Sequence, residues 1–289
     1  MWLPVFRLAL TVLFVCLALL MPCLAQAYDA LILLSRRDPG YDEVLRGFRA
    51  TRTITQRVLI LSDYSEADIV RIVREDRPGV VLAMGDKALA AARGLRQTPV
   101  VAVMSLGIRE RRNNLPNLSG IDMFAPPEQF LRLFRDMKKH RIGVLYDPAR
   151  CAWYLRRVQQ LAQQYGVRLV VRETPEPRDV MGQLDSLKGE VDALWMLPDI
   201  TAVTRESAEM YFQFSQKEQV PVVSFAGAYL TLGAAAIVEI NRAELGRQAA
   251  ELISGILTDP AKSDHSFVYP EGTTLKTNPN VLKRLGIVF

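Results

Sequence analysis

The chain predicts an α/β protein made of two doubly wound parallel-sheet lobes joined by a hinge. Three observations carry that prediction: short strands apolar on both faces, amphipathic helices between them, and a second copy of the pattern in the latter half. A parallel strand covered by helices on both sides reads as an unbroken apolar run, because neither face meets water. Such runs alternating with helical spacing mark a parallel, doubly wound sheet.

The first lobe contains apolar runs at 30–34, 58–61, 80–84 and 100–104. Between them, Tyr41, Leu45 and Phe48 fall on one helical face, and so do Ile69, Ile72 and Val73. Ser65 and Asp86 are placed as helix N-caps. The pattern restarts with runs at 142–146, 167–171, 193–197 and 220–225, separated by helices over about 150–165, 178–187 and 201–219. A further run at 234–240 and an amphipathic helix over 244–257 follow. Met210, Tyr211, Phe212 and Phe214 cover several faces of one helix and read as core. The tract 120–127 between the two copies holds no Gly/Ser linker, so the lobes are expected to be closely coupled.

Residues 1–27 read as a secretory signal peptide. Arg7 is the only charge before the apolar stretch 8–20, and Ala25-Gln26-Ala27 fits the small-x-small cleavage pattern. The apolar run is too short for a confident membrane span. The mature chain is therefore expected to begin near Tyr28 and to work in the periplasm. The competing reading, a lipoprotein anchored at Cys23, meets a poor lipobox in Leu20-Met21-Pro22-Cys23, where proline precedes the cysteine.

Composition narrows the function classes. Export would remove Cys16 and Cys23 and leave Cys151, so no internal disulfide forms and stability comes from packing. The formal charge of +5 falls to +4 with Arg7, and acids and bases are interspersed, so no nucleic-acid partner is expected. The densest basic spot, Arg109-Glu110-Arg111-Arg112, reads as a solvated loop or as a dock for an anionic partner. His140 and His265 are far apart, and no C-x-x-C or H-E-x-x-H spacing occurs, so neither metal nor cofactor is expected. His140 follows Lys138-Lys139 at an expected helix end, where a cation suits the dipole. No G-x-G-x-x-G, G-x-x-x-x-G-K-[ST] or G-x-S-x-G is present, the nearest approach being the VSFAG of 223–227. Two scattered histidines leave little acid–base capacity beyond carboxylates, so the chain is not read as an enzyme.

In open parallel sheets, ligands bind beyond the carboxyl ends of the strands. That places the site in the loops 35–40, 85–87, 105–107, 147–150, 198–199 and 226–228. The candidate ligand contacts are Ser35, Arg36, Gly85, Asp86, Ser105, Asp147, Trp153, Asp199 and Phe225. Asp86 and Asp199 each read as a helix cap or as an acceptor for a ligand amine, roles that can coexist, Asp147 as a turn residue, and Ser105 as a turn serine or a carboxylate donor. Trp153 and Tyr154 open the first helix of the second lobe, close to the expected cleft: one of them stacks on a flat ligand, or one packs inward and the other lies on the surface. Cys151 lacks a neighbouring histidine and reads as a buried free thiol.

Several segments in order carry a family likeness: 117–122 (NLSGID), 142–148 (IGVLYDP), 197–199 (LPD), 245–250 (LGRQAA) with Ile256-Leu257, and 275–278 (LKTN) through Leu285-Gly286-Ile287. Over nearly all the mature length the chain resembles the ABC transporter substrate-binding proteins of the tryptophan/tyrosine-type group, built on the type I periplasmic-binding-protein fold. The resemblance implies crossovers near 122–125, near Asn241 and around Pro270, with Asp122 and Asn241 as hinge residues. The lobes would then comprise 28–122 plus about 243–270, and 123–242 plus about 271–289. It also implies a monomeric receptor that delivers a small-molecule solute, an amino acid or similar, to an ABC transporter permease at the inner membrane. Two loops depart from the family pattern: Arg150 to Tyr154 after the sixth strand, and the charged Ser35-Arg36-Arg37-Asp38. They point to a larger or more anionic solute, or to a ligand-sensing module for a membrane receptor or kinase. An exported α/β enzyme is the remaining alternative.

Overall fold

A computed structural model describes residues 28–110, 114–259 and 266–288. The signal-peptide and lipobox readings, Arg111, Arg112 and His265 lie outside the described residues.

Two six-stranded sheets organise the chain. In the first, β1 (Ala30–Leu34), β2 (Gln56–Ile60), β3 (Val80–Met84), β4 (Val100–Val103), β5 (Leu118–Ile121) and β11 (Phe267–Val268) run in the order β11-β5-β4-β3-β1-β2, all parallel. The second holds β6 (Arg141–Tyr146), β7 (Arg168–Glu173), β8 (Ala193–Trp195), β9 (Val222–Ser224), β10 (Ala236–Ile240) and β12 (Thr273–Thr277), ordered β12-β10-β9-β8-β6-β7. Its one departure from the parallel expectation is the edge: β12 pairs antiparallel with β10. Lys276 on this exposed edge reaches Glu239 at 2.7 Å, and a charge there discourages edge-to-edge association.

The helices are α1 (Pro39–Thr51), α2 (Ile69–Asp76), α3 (Asp86–Ala91), α4 (Pro127–Asp136), α5 (Pro148–Ala162), α6 (Val180–Asp185), α7 (Arg205–Glu218), α8 (Ala228–Leu232), α9 (Arg242–Thr258) and α10 (Pro279–Arg284). They cover both faces of each sheet, as the apolar strands require. In β1, Ala30, Ile32 and Leu34 join one core with Val44 and Phe48 of α1. Leu31 and Leu33 point the other way, toward Ile69 of α2 and Leu89 of α3. Tyr211, Phe212 and Phe214 are buried against the second sheet, in agreement with their reading as core. None of the helices among the described residues is long and apolar enough to cross a membrane.

Capping differs from expectation at two places. Asp68, not Ser65, caps α2, its carboxylate accepting from the Arg71 N–H at 2.9 Å. Gly85, not Asp86, occupies the N-cap position of α3, with φ at +89°. His140 lies beyond the end of α4, which stops at Asp136; its Nδ1 instead faces the carbonyl of Gly166, the C-cap of the helical turn that continues α5, at 3.0 Å.

The chain passes between sheets three times: from β5 to α4, at Asn241 between β10 and α9, and between β11 and β12. Helix α9 returns to the first sheet and packs tightly on α1. A Cβ at Gly246 would collide with the Val44 carbonyl oxygen, and one at Gly47 with that of Ala243, so glycines alone permit this approach. Gln248 on α9 then grips the third crossing from both sides, donating to the Tyr269 carbonyl at 2.9 Å and accepting from the Glu271 N–H at 3.1 Å. Arg247 adds bonds of 2.7 Å to Glu244, Glu251 and Glu271.

Candidate functional site

The carboxyl ends of the two sheets border one cavity of about 520 Å³, walled by residues of both lobes. From the first lobe come the loops after β1 and β3, Met104 and Leu106 after β4, and Met123 at the first crossing. The second lobe supplies Pro198, Phe225, Ala226, Glu239 and Ile240, and Arg242 opens α9.

The floor on the first-lobe side is rigid. The Ser35 hydroxyl donates to the Met84 carbonyl at 2.9 Å and accepts the Ala88 N–H at 3.0 Å, tying β1 to β3 and α3. A side chain at Gly85 would run into the Tyr41 hydroxyl and Ser35 Oγ, so the positive-φ glycine lets Tyr41 lie flat against the turn. Asp38 caps α1 through the Gly40 N–H at 2.9 Å and pairs with Arg36 at 2.7 Å. Burial pushes the Asp38 carboxyl up, but the Gly40 N–H and the Arg36 guanidinium outweigh it and hold it below the usual value. Arg36 also stands 5.8 Å from the Tyr41 ring centre. The residue after β4, Met104, adopts φ +56°, an uncommon conformation for a side-chain-bearing residue and one found at binding sites.

Charges on the wall are mostly paired. Glu239 bonds Lys276 at 2.7 Å and accepts from the Gly227 N–H at 3.1 Å; burial raises its carboxyl, yet these partners bring it below normal. Arg242 meets Glu43 at 3.3 Å. Asp86 accepts from the Ser105 hydroxyl and from the Gly107 N–H at 3.1 Å. Lys87 has no hydrogen-bonding or ionic partner among the described residues. Apolar surface from Met104, Leu106, Met123, Phe225 and Ile240 fills the rest. Such a wall suits a small solute with an apolar body and a charged group.

Residues 62–289 match the ABC transporter substrate binding protein family. The chain belongs to that family.

Solved structures agree on the fold. The ligand-free, open structure of a substrate binding protein with adhesive properties from Clostridium difficile is 19% identical, with TM-score 0.68 over 91% of this chain and 96% of that one. A conserved domain protein from Vibrio cholerae is also 19% identical, with TM-score 0.62 over 90% and 95%. An ABC domain in complex with L-Trp from Streptococcus pneumonia is 17% identical, with TM-score 0.61 over 90% and 94%. A search of curated proteins gives no match. The substrate-binding protein thus has the type I periplasmic-binding-protein fold.

The structure sorts the candidate contacts. Ser35, Arg36, Asp86 and Phe225 line the cavity, Gly85 shapes its floor, and Ser105 stands one step back, orienting Asp86. Asp147, Trp153 and Asp199 do not line it. Asp199 is 2% exposed and accepts from three backbone N–H groups: Asp147 at 2.7 Å, Thr201 at 2.8 Å and Ala202 at 3.1 Å. Asp147 caps α5 through the Ala149 N–H at 2.9 Å and accepts the Thr201 hydroxyl at 2.8 Å. These carboxylates staple the turns after β6 and β8, and of the two readings of Asp199 this geometry is that of a cap on backbone donors. Trp153 has its ring face covered by the Arg109 guanidinium at 3.7 Å. Cys151 is a buried free thiol, pushed up by burial and the nearby Asp199. Tyr41, Glu239 and Arg242 were not singled out from the sequence. The first directly follows the expected loop 35–40, in the first turn of α1, and the other two flank the second crossing, which only topology brings to the cleft.

Proposed function

We propose that this substrate-binding protein is the exported receptor of an ABC importer. It captures a small organic solute, an amino acid or a similar charged molecule, between its lobes and closes by hinge motion about Asp122 and Asn241. The observation that carries this reading is the cavity of about 520 Å³ with walls from both lobes, since closure around a shared site gives the closed state its differential affinity. Asp122 directly follows β5 and Asn241 directly follows β10, so both stand where the chain changes sheets. The L-Trp held by the Streptococcus pneumonia relative supports an amino acid or kindred solute. The unpaired Lys87 and the apolar wall favour a solute that carries a carboxylate on an apolar body. A periplasmic location and an inner-membrane permease as partner follow from this role, with the protein acting as a monomer and without chemistry.

Thermal denaturation with a panel of amino acids and organic acids tests it. A true solute at a hundred times its Kd stabilises by about 2.7 kcal/mol, which raises Tm by roughly 5–10 °C for a chain of this size. A panel that leaves every melting curve unmoved counts against solute capture.

A further inference from the structure

One flank of the cleft is bridged by side chains that take no part in lining the cavity. Arg109 and Glu110 lie in the first-lobe loop after β4; α5 starts at the carboxyl end of β6 in the second lobe. The Arg109 guanidinium grips the carboxylate of Asp122, Nη2 at 2.6 Å and Nε at 3.2 and 3.3 Å, where the chain leaves the first sheet. The same guanidinium lies 3.7 Å from the centre of the Trp153 ring on α5. Its neighbour Glu110 accepts from Arg150 Nη1 at 3.0 Å, one helical turn before Trp153. Trp153 in turn meets Phe124 of the first crossing at 5.2 Å and Tyr269 of the third at 6.4 Å.

Two consecutive residues of one lobe therefore hold one face of a helix in the other, against the segments about which the lobes turn. Both partners sit at strand carboxyl ends that face each other, so these contacts persist only while the lobes are close on this flank. A guanidinium carbon 3.7 Å over the centre of an indole is in close cation–π contact, which a small separation loses. Asp122, 1% exposed, holds the arginine in place from below.

We propose that Arg109 is an inter-lobe latch: it closes the cleft on the β4–β6 flank and sets the angle between the lobes in the absence of solute. The inference rests on the solute-binding reading for its purpose, but the lobe angle is measured without any solute.

The test is small-angle X-ray scattering of the solute-free protein, comparing wild type with Arg109→Ala/Asp122→Asn and Arg109→Lys. The double variant removes the latch without stranding a buried carboxylate, so folding is preserved. The expected result is a radius of gyration larger by about 1 Å on about 19 Å, with Tm close to wild type. Arg109→Lys keeps a charge on Asp122 but loses the guanidinium contact with Trp153, and falls between the two. Folded variants that scatter as wild type does overturn the latch, whether or not a solute is ever found. Failure to find a solute while the radius shifts as expected overturns only the transport reading.

Discussion

Replacing Asp199 with alanine distinguishes a structural staple from a ligand contact. The carboxylate is 2% exposed and accepts the N–H groups of Asp147, Thr201 and Ala202 at 2.7, 2.8 and 3.1 Å. Hydrogen bonds to a charged group contribute about 1.5–3 kcal/mol each, though not additively, and donors left unpaired in the interior add to the loss. The expected cost is therefore about 3–5 kcal/mol, seen as a fall in Tm of roughly 6–20 °C. Asp199→Asn keeps an acceptor for Thr201 and Ala202 but turns an amide N–H toward that of Asp147, and is expected to lose about half as much. Calorimetric titration well below Tm, with the solute identified from the purified protein, should give wild-type affinity within about threefold. Loss of affinity by more than tenfold with Tm unchanged within about 2 °C would refute the reasoning.

The Arg109–Asp122 pair predicts a pH effect: burial raises the Asp122 carboxyl above its usual value, and Arg109 holds it partly back. A raised carboxyl binds its proton more tightly folded than unfolded, so its contribution to stability falls as pH rises from about 4 through the folded-state value. Arg109→Ala should enlarge that window and lose more Tm at pH 7 than at pH 4, and adding Asp122→Asn should abolish the difference; equal losses at both pH values contradict it. Gly85→Ala should lower stability by about 1–2 kcal/mol from the positive φ alone and weaken solute binding, because the new Cβ displaces Tyr41 and Ser35. A variant with unchanged melting and affinity would show that the floor is not rigid.

Much of the fold was legible because burial on both faces writes itself into sequence. Runs such as those of β1, β3 and β4 admit no polar residue, and each appears as a strand within a residue or two of its expected bounds. Among the strands that escaped, β11 has two residues and β12, Thr-Thr-Leu-Lys-Thr, lies mostly exposed on an edge, while β5, Leu-Ser-Gly-Ile, is buried but has its apolar run broken by Ser119 and Gly120. Short polar side chains were legible as a class but not in their direction. Asp86 and Asp199 both follow strands; Asp86 opens α3 and turns toward Ser105 at the cleft, while Asp199 precedes a turn, α7 beginning only at Arg205 under a Thr204 cap, and points inward to backbone donors. Which way each turns depends on loops far away in sequence. The same holds for Arg242, which faces the cavity because α9 returns to the first lobe after β10. Trp153 shows the limit most plainly: its place near the cleft followed from its position at the start of a second-lobe helix, but its partner, Arg109, is supplied by the other lobe.

Native mass spectrometry tests the central claim most directly, comparing gently purified protein with the same material unfolded and refolded. Capture of a solute in the inter-lobe cleft predicts a small added mass before refolding, lost after it, and restored together with a raised Tm when that compound is returned. No retained mass in either preparation, with melting unmoved by amino acids and organic acids, would contradict it.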